Sequence, residues 1–424
     1  MKVLQITAGA ASMYCGSCIR DNNLAREMRT LGHEVTLVPL YTPLLTDEEN
    51  VAGGRVFFGG ISIYLQQKSV LFRKLPRFVD RLWDSPAVIR AATSGSIQTS
   101  PKDLGELTES TLRGVHGVLR KEFEKLLDWA EAEPRPDVIV LPYTLLISLA
   151  KPLRERLQRP VVCSLQGEDL FLEGLQEPWR TRCLNLVRAM TGDVDLFLPV
   201  SEFYERLMAS YLDIPRSRME VLPLGISFDG YRPAEKASQG PLRIGYFARV
   251  APEKGLHVLA EAFRMVRREL PDTVLEAAGY LDNKPYLAQC QKIAPFTYHG
   301  TVDREAKQRF LERMDVICVP SPYADPKGTY LLEGMAAGTP FVQPNHGAFP
   351  EIARKTGGGV LVSGAEPEAV AEQLIALGRD RERLRQLAAN GIEGVRREFS
   401  LRASAERAAA LYERVAEGSK VASA

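Results

Sequence analysis

The chain has 424 residues, 45% hydrophobic and 25% charged, which suits two domains of ordinary size, each with its own core. Its 54 Lys and Arg against 53 Asp and Glu argue against a nucleic-acid binder, which carries a clear basic excess. Nowhere do roughly 18 apolar residues run together to span a membrane, and six scattered cysteines in a long chain are not a secreted disulfide framework.

The start, residues 1–8, reads as a short buried strand without the basic stretch and long apolar core of a targeting segment, so the expected compartment is the cytoplasm. Short apolar strands then alternate with longer amphipathic helices. In the first half, strands are predicted at about 3–7, 35–40, 138–141, 161–165, 196–200 and 219–222, with helices such as 22–31 and 202–211 between most of them. Strands rich in Val, Ile and Leu with helical crossovers indicate a parallel sheet covered on both faces. The rhythm breaks over about 42–106, where Gly pairs and a Ser/Thr/Pro-rich stretch read as an insertion near a cleft mouth. Within it, residues 68–83 mix apolar residues with five cations. That composition suits a helix packed on its own domain, and also peripheral contact with an anionic membrane surface.

Pro223, Gly225, Gly230, Pro233 and the polar run to Pro241 read as a linker. Alternation resumes with strands at 242–247, 274–277, 315–319, 340–343 and 359–362, and the tail 396–417 reads as one long helix. The predicted division is an amino-terminal domain over 1–230, a second domain over 231–395 and a terminal helix over 396–424. The fold class is α/β: two doubly wound, Rossmann-like parallel-sheet domains facing a cleft at the carboxyl ends of their strands, where such sheets bind ligands.

The strongest local signal is the segment 324–340. A loop ends at Gly328, a helix begins at Thr329, Glu333 sits one turn into it, and Gly338-Thr339-Pro340 closes it. Free N–H groups at a helix start hold phosphates and other oxygen-rich ligands, and a carboxylate on the first turns can accept from a pair of ribose hydroxyls. The plainer reading is a capped helix whose Asp325 and Glu333 complement the dipole. A second segment, 243–255, is a strand running into a loop that carries Arg249 and Lys254 at a helix entrance. Two cations there oppose the positive helix start unless an anion such as a diphosphate lies between them; the plainer reading is solvated surface charge.

These segments resemble the donor-binding half of the family-4 retaining glycosyltransferases, which have the GT-B fold. The family's acidic pair, seven residues between, is matched in spacing by Asp325 and Glu333, and its Gly-Arg…Glu-Lys-Gly element by Ala248-Arg249…Glu253-Lys254-Gly255. Further likenesses are the strand and Pro320-Ser321 step, Gly338-Thr339-Pro340, Pro350-Glu351-Ile352, and in the first domain 31–35 and 221–226. The resemblance implies transfer of a sugar from a nucleotide-diphosphate donor. Arg249 and Lys254 would neutralise the diphosphate, Glu333 would hold the ribose hydroxyls, and Asp325 with the amides of Gly328 and Thr329 would bind the transferred sugar. Tyr330 and Leu331 belong to the same donor-binding segment. Tyr280 and Thr301 would flank the nucleobase, and Gly16, in the loop after the first strand, would let backbone approach the phosphates. No metal is expected, because two cations and a helix end balance the diphosphate, and no other cofactor is implied.

Two departures from the family stand out. Asp325 replaces its usual Glu, one methylene longer. Where the family often has a His in the first domain, the aligned stretch 161–169 has Gln166, which can hydrogen-bond a sugar hydroxyl but carries no proton; it is expected to reach into the cleft. A retaining mechanism in which the leaving phosphate takes the proton tolerates that change, and Glu168 and Asp169 are the neighbouring substitutes. The competing functions are a weakened nucleotide-sugar-binding subunit and a nucleotide-sugar epimerase of the same fold. Cys15 and Cys18 have the spacing of a redox pair but also suit tight packing, Asp193-Val-Asp195 resembles a metal motif of a different fold, and His346 is the one histidine on a predicted cleft loop.

Overall fold

The computed structural model describes residues 1–9, 16–44, 46, 48–53, 56–58, 101–233 and 239–422. Most of the predicted insertion, residues 59–100 with the segment 68–83, lies outside the described residues, as does Cys15. The chain forms two compact units: Met1–Val200, Tyr204–Pro223 and the end of the chain from Ser404 make the first, and Ser201–Phe203 with Leu224–Ala403 make the second.

Among the described residues, the first unit has strands β1 (Lys2–Thr7), β2 (Glu34–Pro39), β3 (Val138–Leu141), β4 (Val161–Leu165) and β5 (Leu196–Pro199), all parallel, in the order β2-β1-β3-β4-β5. Val3, Val35, Leu37, Val138, Val140, Val162 and Leu198 build one core with Leu24 and Met28 of the helix Gly16–Thr30. The strands match their predicted positions to within a residue or so except the sixth. Residues 219–222 make a single bridge, Met219 to Phe197. Glu220 N–H donates to Phe197 O at 3.0 Å and Leu222 N–H to Pro199 O at 2.9 Å. The return bond of a parallel ladder would come from the N–H of residue 199, which proline lacks.

The second unit has strands β6 (Arg243–Phe247), β7 (Val274–Ala278), β8 (Thr297–Tyr298), β9 (Val316–Cys318), β10 (Phe341–Pro344) and β11 (Gly359–Val362), parallel and ordered β11-β10-β9-β6-β7-β8. The order reverses between β6 and β9, so in the second unit the ligand-binding position of a doubly wound sheet lies beyond the carboxyl ends of that pair. β8, two residues at the edge, is too short to have left a periodic signal.

The tail is two helices rather than one. The helix Arg381–Glu398 ends, Phe399 and Ser400 turn aside, and a second helix runs Leu401–Ala422. The break is held by Ile226, whose N–H donates to Phe399 O while its carbonyl accepts from Leu401 N–H, both at 3.0 Å. The Ser400 hydroxyl then accepts from Ala403 N–H at 3.2 Å, the usual service of a serine at a helix start. Ala405, Ala408, Leu411 and Tyr412, one stripe of the last helix, join the core of the first unit. Among the described residues no helix is long and apolar enough to cross a membrane.

Candidate active site

Within the second unit, the loops that follow β6 and β9 are tied together. Ser321, fully buried, has its hydroxyl 2.7 Å from the carbonyls of both Glu253 and Tyr323. Gly255 sits where the two loops touch: at φ +72° a Cβ there would lie 2.0 Å from Pro320 O, a distance no side chain tolerates. A third loop closes on the same place through Gly347 (φ +63°), whose Cβ would lie 2.7 Å from Asp325 O. Ala348 N–H donates to that carbonyl at 2.9 Å.

At the centre of these loops lies the pair Lys254 and Asp325, Nζ to Oδ2 at 2.5 Å. Asp325 is 4% exposed, and its Oδ1 accepts from the backbone N–H of Lys327 at 2.9 Å and of Gly328 at 3.3 Å. Burial works to raise its pKa, but the Lys254 ammonium and the hydrogen bonds outweigh it and hold the carboxyl below its ordinary value. The Lys254 ammonium also lies 5.7 Å from the centre of the Tyr330 ring. Gly328 caps the helix Thr329–Ala336. Glu333, on that helix, is ion-paired to Lys307 at 2.8 Å.

Arg249 is more open, its side chain 43% exposed, and it pairs with Glu253 and, at 3.4 Å, with Asp282. The positive charge at this helix entrance is thus balanced inside the unit, by Asp325 for Lys254 and by Glu253 and Asp282 for Arg249. Tyr280 and Thr301, both exposed, are brought into register by Gly279 N–H donating to Gly300 O at 2.9 Å. Leu331 is fully buried, and its N–H is taken by Gly328 O at 2.9 Å. The structure therefore places Arg249, Lys254, Tyr280, Thr301, Asp325 and Gly328 in the stretches that follow the second unit's strands, and Thr329, Tyr330, Leu331 and Glu333 on the helix Thr329–Ala336.

Two predicted residues lie in the first unit. Gly16, expected in a loop, opens the helix Gly16–Thr30 and has no neighbouring atom within 4 Å of a Cβ position. Gln166, expected to enter the cleft, is 3% exposed, and its side chain bonds within its own unit. Its Nε2 donates to Pro142 O at 2.7 Å and to Asp21 Oδ1 at 3.5 Å. The Pro142 carbonyl, which can only accept, fixes the amide orientation and leaves Oε1 buried without a partner. Glu168 accepts from Thr144 N–H and hydroxyl, Gln166 N–H and the Tyr204 hydroxyl, and burial pushes its pKa up. Asp169 accepts from the same Tyr204 hydroxyl at 2.8 Å.

The remaining motifs take structural places. Asp195 holds Arg154 at 2.5 Å and Val161 N–H at 2.7 Å. Cys18 is buried in the first unit's core. His346 keeps Nδ1 buried without a partner, and burial pushes its pKa down against opposing effects of Ser321 and Asp325. Among the described residues no group of three or more His, Cys, Asp or Glu is arranged to hold a metal ion.

Comparison with known proteins bears on both halves. Residues 20–225 match the family model of the glycosyl transferase 4-like domain, and residues 227–394 that of the glycosyl transferases group 1. The phosphatidyl-myo-inositol mannosyltransferase of Mycobacterium leprae is 31% identical over 207 residues, 47% of this chain and 55% of that protein. The chain thus spans little more than half the length of that relative. The amylovoran biosynthesis glycosyltransferase AmsK of Erwinia amylovora is 26% identical over 64% of this chain and 70% of its own. Among solved structures, a sucrose-phosphate synthase from Thermosynechococcus elongatus superposes with a TM-score of 0.71 at 18% identity, covering 98% of each chain. Anabaena Alr3699/HepE, in complex with UDP and glucose, gives 0.65 at 15% identity over 97% of this chain and 99% of its own. These likenesses establish the fold as GT-B, two parallel-sheet α/β domains.

Proposed function

We propose that this chain, which belongs to the group 1 glycosyl transferases, transfers a sugar from a nucleotide-diphosphate donor to an acceptor hydroxyl with retention at the transferred carbon. The observation that carries the reading is the Lys254–Asp325 pair, seated beyond β6 and β9 where the strand order reverses and beside the start of the helix Thr329–Ala336. In this reading the donor diphosphate lies against Lys254, Arg249 and the helix start. These groups stabilise charge as the nucleoside diphosphate leaves. Asp325, fixed by the N–H groups of Lys327 and Gly328, orients the ammonium and accepts from a hydroxyl of the transferred sugar. Glu333 takes the ribose, and the exposed ring of Tyr280 lies beside the base. The diphosphate charge is met by side chains and a helix end, so the proposal includes no metal.

The donor reading has a direct test. Glu333→Ala is expected to weaken nucleoside diphosphate binding by about 1–3 kcal/mol, the usual cost of losing a charged hydrogen-bonding partner. Thermal shift with added UDP, GDP or ADP reads this out. Equal stabilisation of variant and wild type would remove Glu333 from the ribose.

A second reading, a nucleotide-sugar-binding subunit with weakened chemistry, draws on Gln166, whose amide is engaged by Pro142 and Asp21. It keeps donor binding and lacks turnover, so the two readings part on a rate.

A further inference from the structure

β10 is buried along its whole length, yet its third residue is Gln343, 0% exposed, where a covered parallel strand normally takes Val, Ile or Leu. A carboxamide in that place costs stability unless both its ends are bonded. Its Nε2 donates to Val319 O at 2.7 Å and to Val342 O at 3.2 Å. Both partners are carbonyls, which can only accept, so they fix which end of the amide is nitrogen and turn Oε1 the other way. The hydroxyl that the Gln343 side chain meets is that of Tyr330. Tyr330 is 8% exposed, and among the described residues its hydroxyl has no other partner. Two polar groups that burial would penalise singly thus answer each other. The ring of Tyr330 in turn faces the Lys254 ammonium, 5.7 Å from its centre.

We infer that Gln343 is a positioning residue for sugar transfer: its Oε1 takes the Tyr330 hydroxyl and holds the ring against Lys254, so that the ammonium stands where the donor diphosphate arrives. This role rests on the donor reading given above and adds to it a residue that touches no phosphate. A lysine ammonium is a point charge on a flexible four-carbon stem, with nothing in its own geometry to aim it. Asp325 binds it from one side at 2.5 Å, and the ring restrains it from a second. The ring can do so only while its hydroxyl is satisfied where it stands. With an apolar wall in place of Gln343, the buried hydroxyl has to swing away to recover a hydrogen bond, and the ring goes with it.

The test compares the affinity of whichever of UDP, GDP and ADP binds best with that of its bare nucleoside, by calorimetry on the whole protein. The ratio of the two isolates what the protein does for the phosphates. Gln343→Leu is expected to lower that ratio about fivefold, the scale of one cation–π contact, with nucleoside affinity unchanged. Adding Tyr330→Phe removes the hydroxyl that has to move and leaves an apolar pair, so the double variant should return to within about twofold of wild type. A ratio unchanged in Gln343→Leu overturns the inference, because Gln343 is then structural only. So does a double variant that stays at the Gln343→Leu value, because the loss did not pass through the Tyr330 hydroxyl. If Gln343→Leu fails to fold, Gln343→Met, closer to glutamine in shape, takes its place with the same outcomes. Failure of the donor reading itself looks different: Lys254→Ala then leaves the ratio at its wild-type value, or no nucleoside diphosphate binds.

Discussion

Lys254→Ala is expected to slow sugar transfer about a hundredfold, the scale of removing one preorganised charge from a developing anion. Arg249→Ala should cost turnover on a similar scale, yet the two variants should differ in stability. Lys254 is the counter-ion of a carboxylate that is 4% exposed, and removing it leaves that charge buried and unpaired. Breaking such a pair costs about 3 kcal/mol or more. Arg249 has its side chain 43% exposed, so its pairs with Glu253 and Asp282 are solvated and contribute little. Urea melts should therefore separate the variants where rates do not. Binding of the bare nucleoside should be unchanged in both; a nucleoside affinity that falls as far as the diphosphate affinity would show that these cations do not act on the phosphates.

The second large effect is at Asp325. Asp325→Ala removes the partner of Lys254 and the acceptor for the N–H groups of Lys327 and Gly328, and should cost about 3 kcal/mol through the same buried-pair mechanism. The sign of its pH dependence follows from the direction of the shift. The folded carboxyl titrates below its ordinary value of 3.8, so its stabilisation is fully present above that value and is lost as pH falls through the lower, folded one. The stability gap between wild type and Asp325→Asn should be widest above pH 3.8 and should narrow as pH falls below it, read from urea midpoints. A gap that does not change with pH would mean the carboxylate charge is not what holds the loops.

Much of the fold was legible because strand and helix periods differ and the strands are nearly all buried. Where the reading failed, a bond to a distant residue decided the outcome. Residues 219–222 have a strand's composition, but their neighbour offers Pro199 in place of a donor. The tail has unbroken helical character, but Ile226 takes the backbone of Phe399 and Leu401 out of it. The site motifs were legible as spacings: Asp325 with Glu333, and Arg249 with Lys254. Their pairings were not, since Lys254 reaches Asp325 across 71 positions and Glu333 is held by Lys307, a residue with no motif around it. Arg249 and Lys254 read as one diphosphate clamp in the sequence, and the structure gives each its own carboxylate. Gln166 reads as a cleft residue because it follows a strand; the bonds of its amide to Pro142 and Asp21 were not legible, since nothing in the sequence near residue 166 marks Asp21.

Nucleoside diphosphate release from UDP-, GDP- and ADP-sugars, with and without hydroxyl-bearing acceptors, tests the account most directly. The prediction is release from at least one donor by the wild type, about a hundredfold slower in Lys254→Ala. A wild type that releases nothing from any donor while binding nucleoside diphosphate would contradict the proposed transfer and favour the binding subunit. A release rate unchanged in Lys254→Ala would take the chemistry away from the Lys254–Asp325 pair.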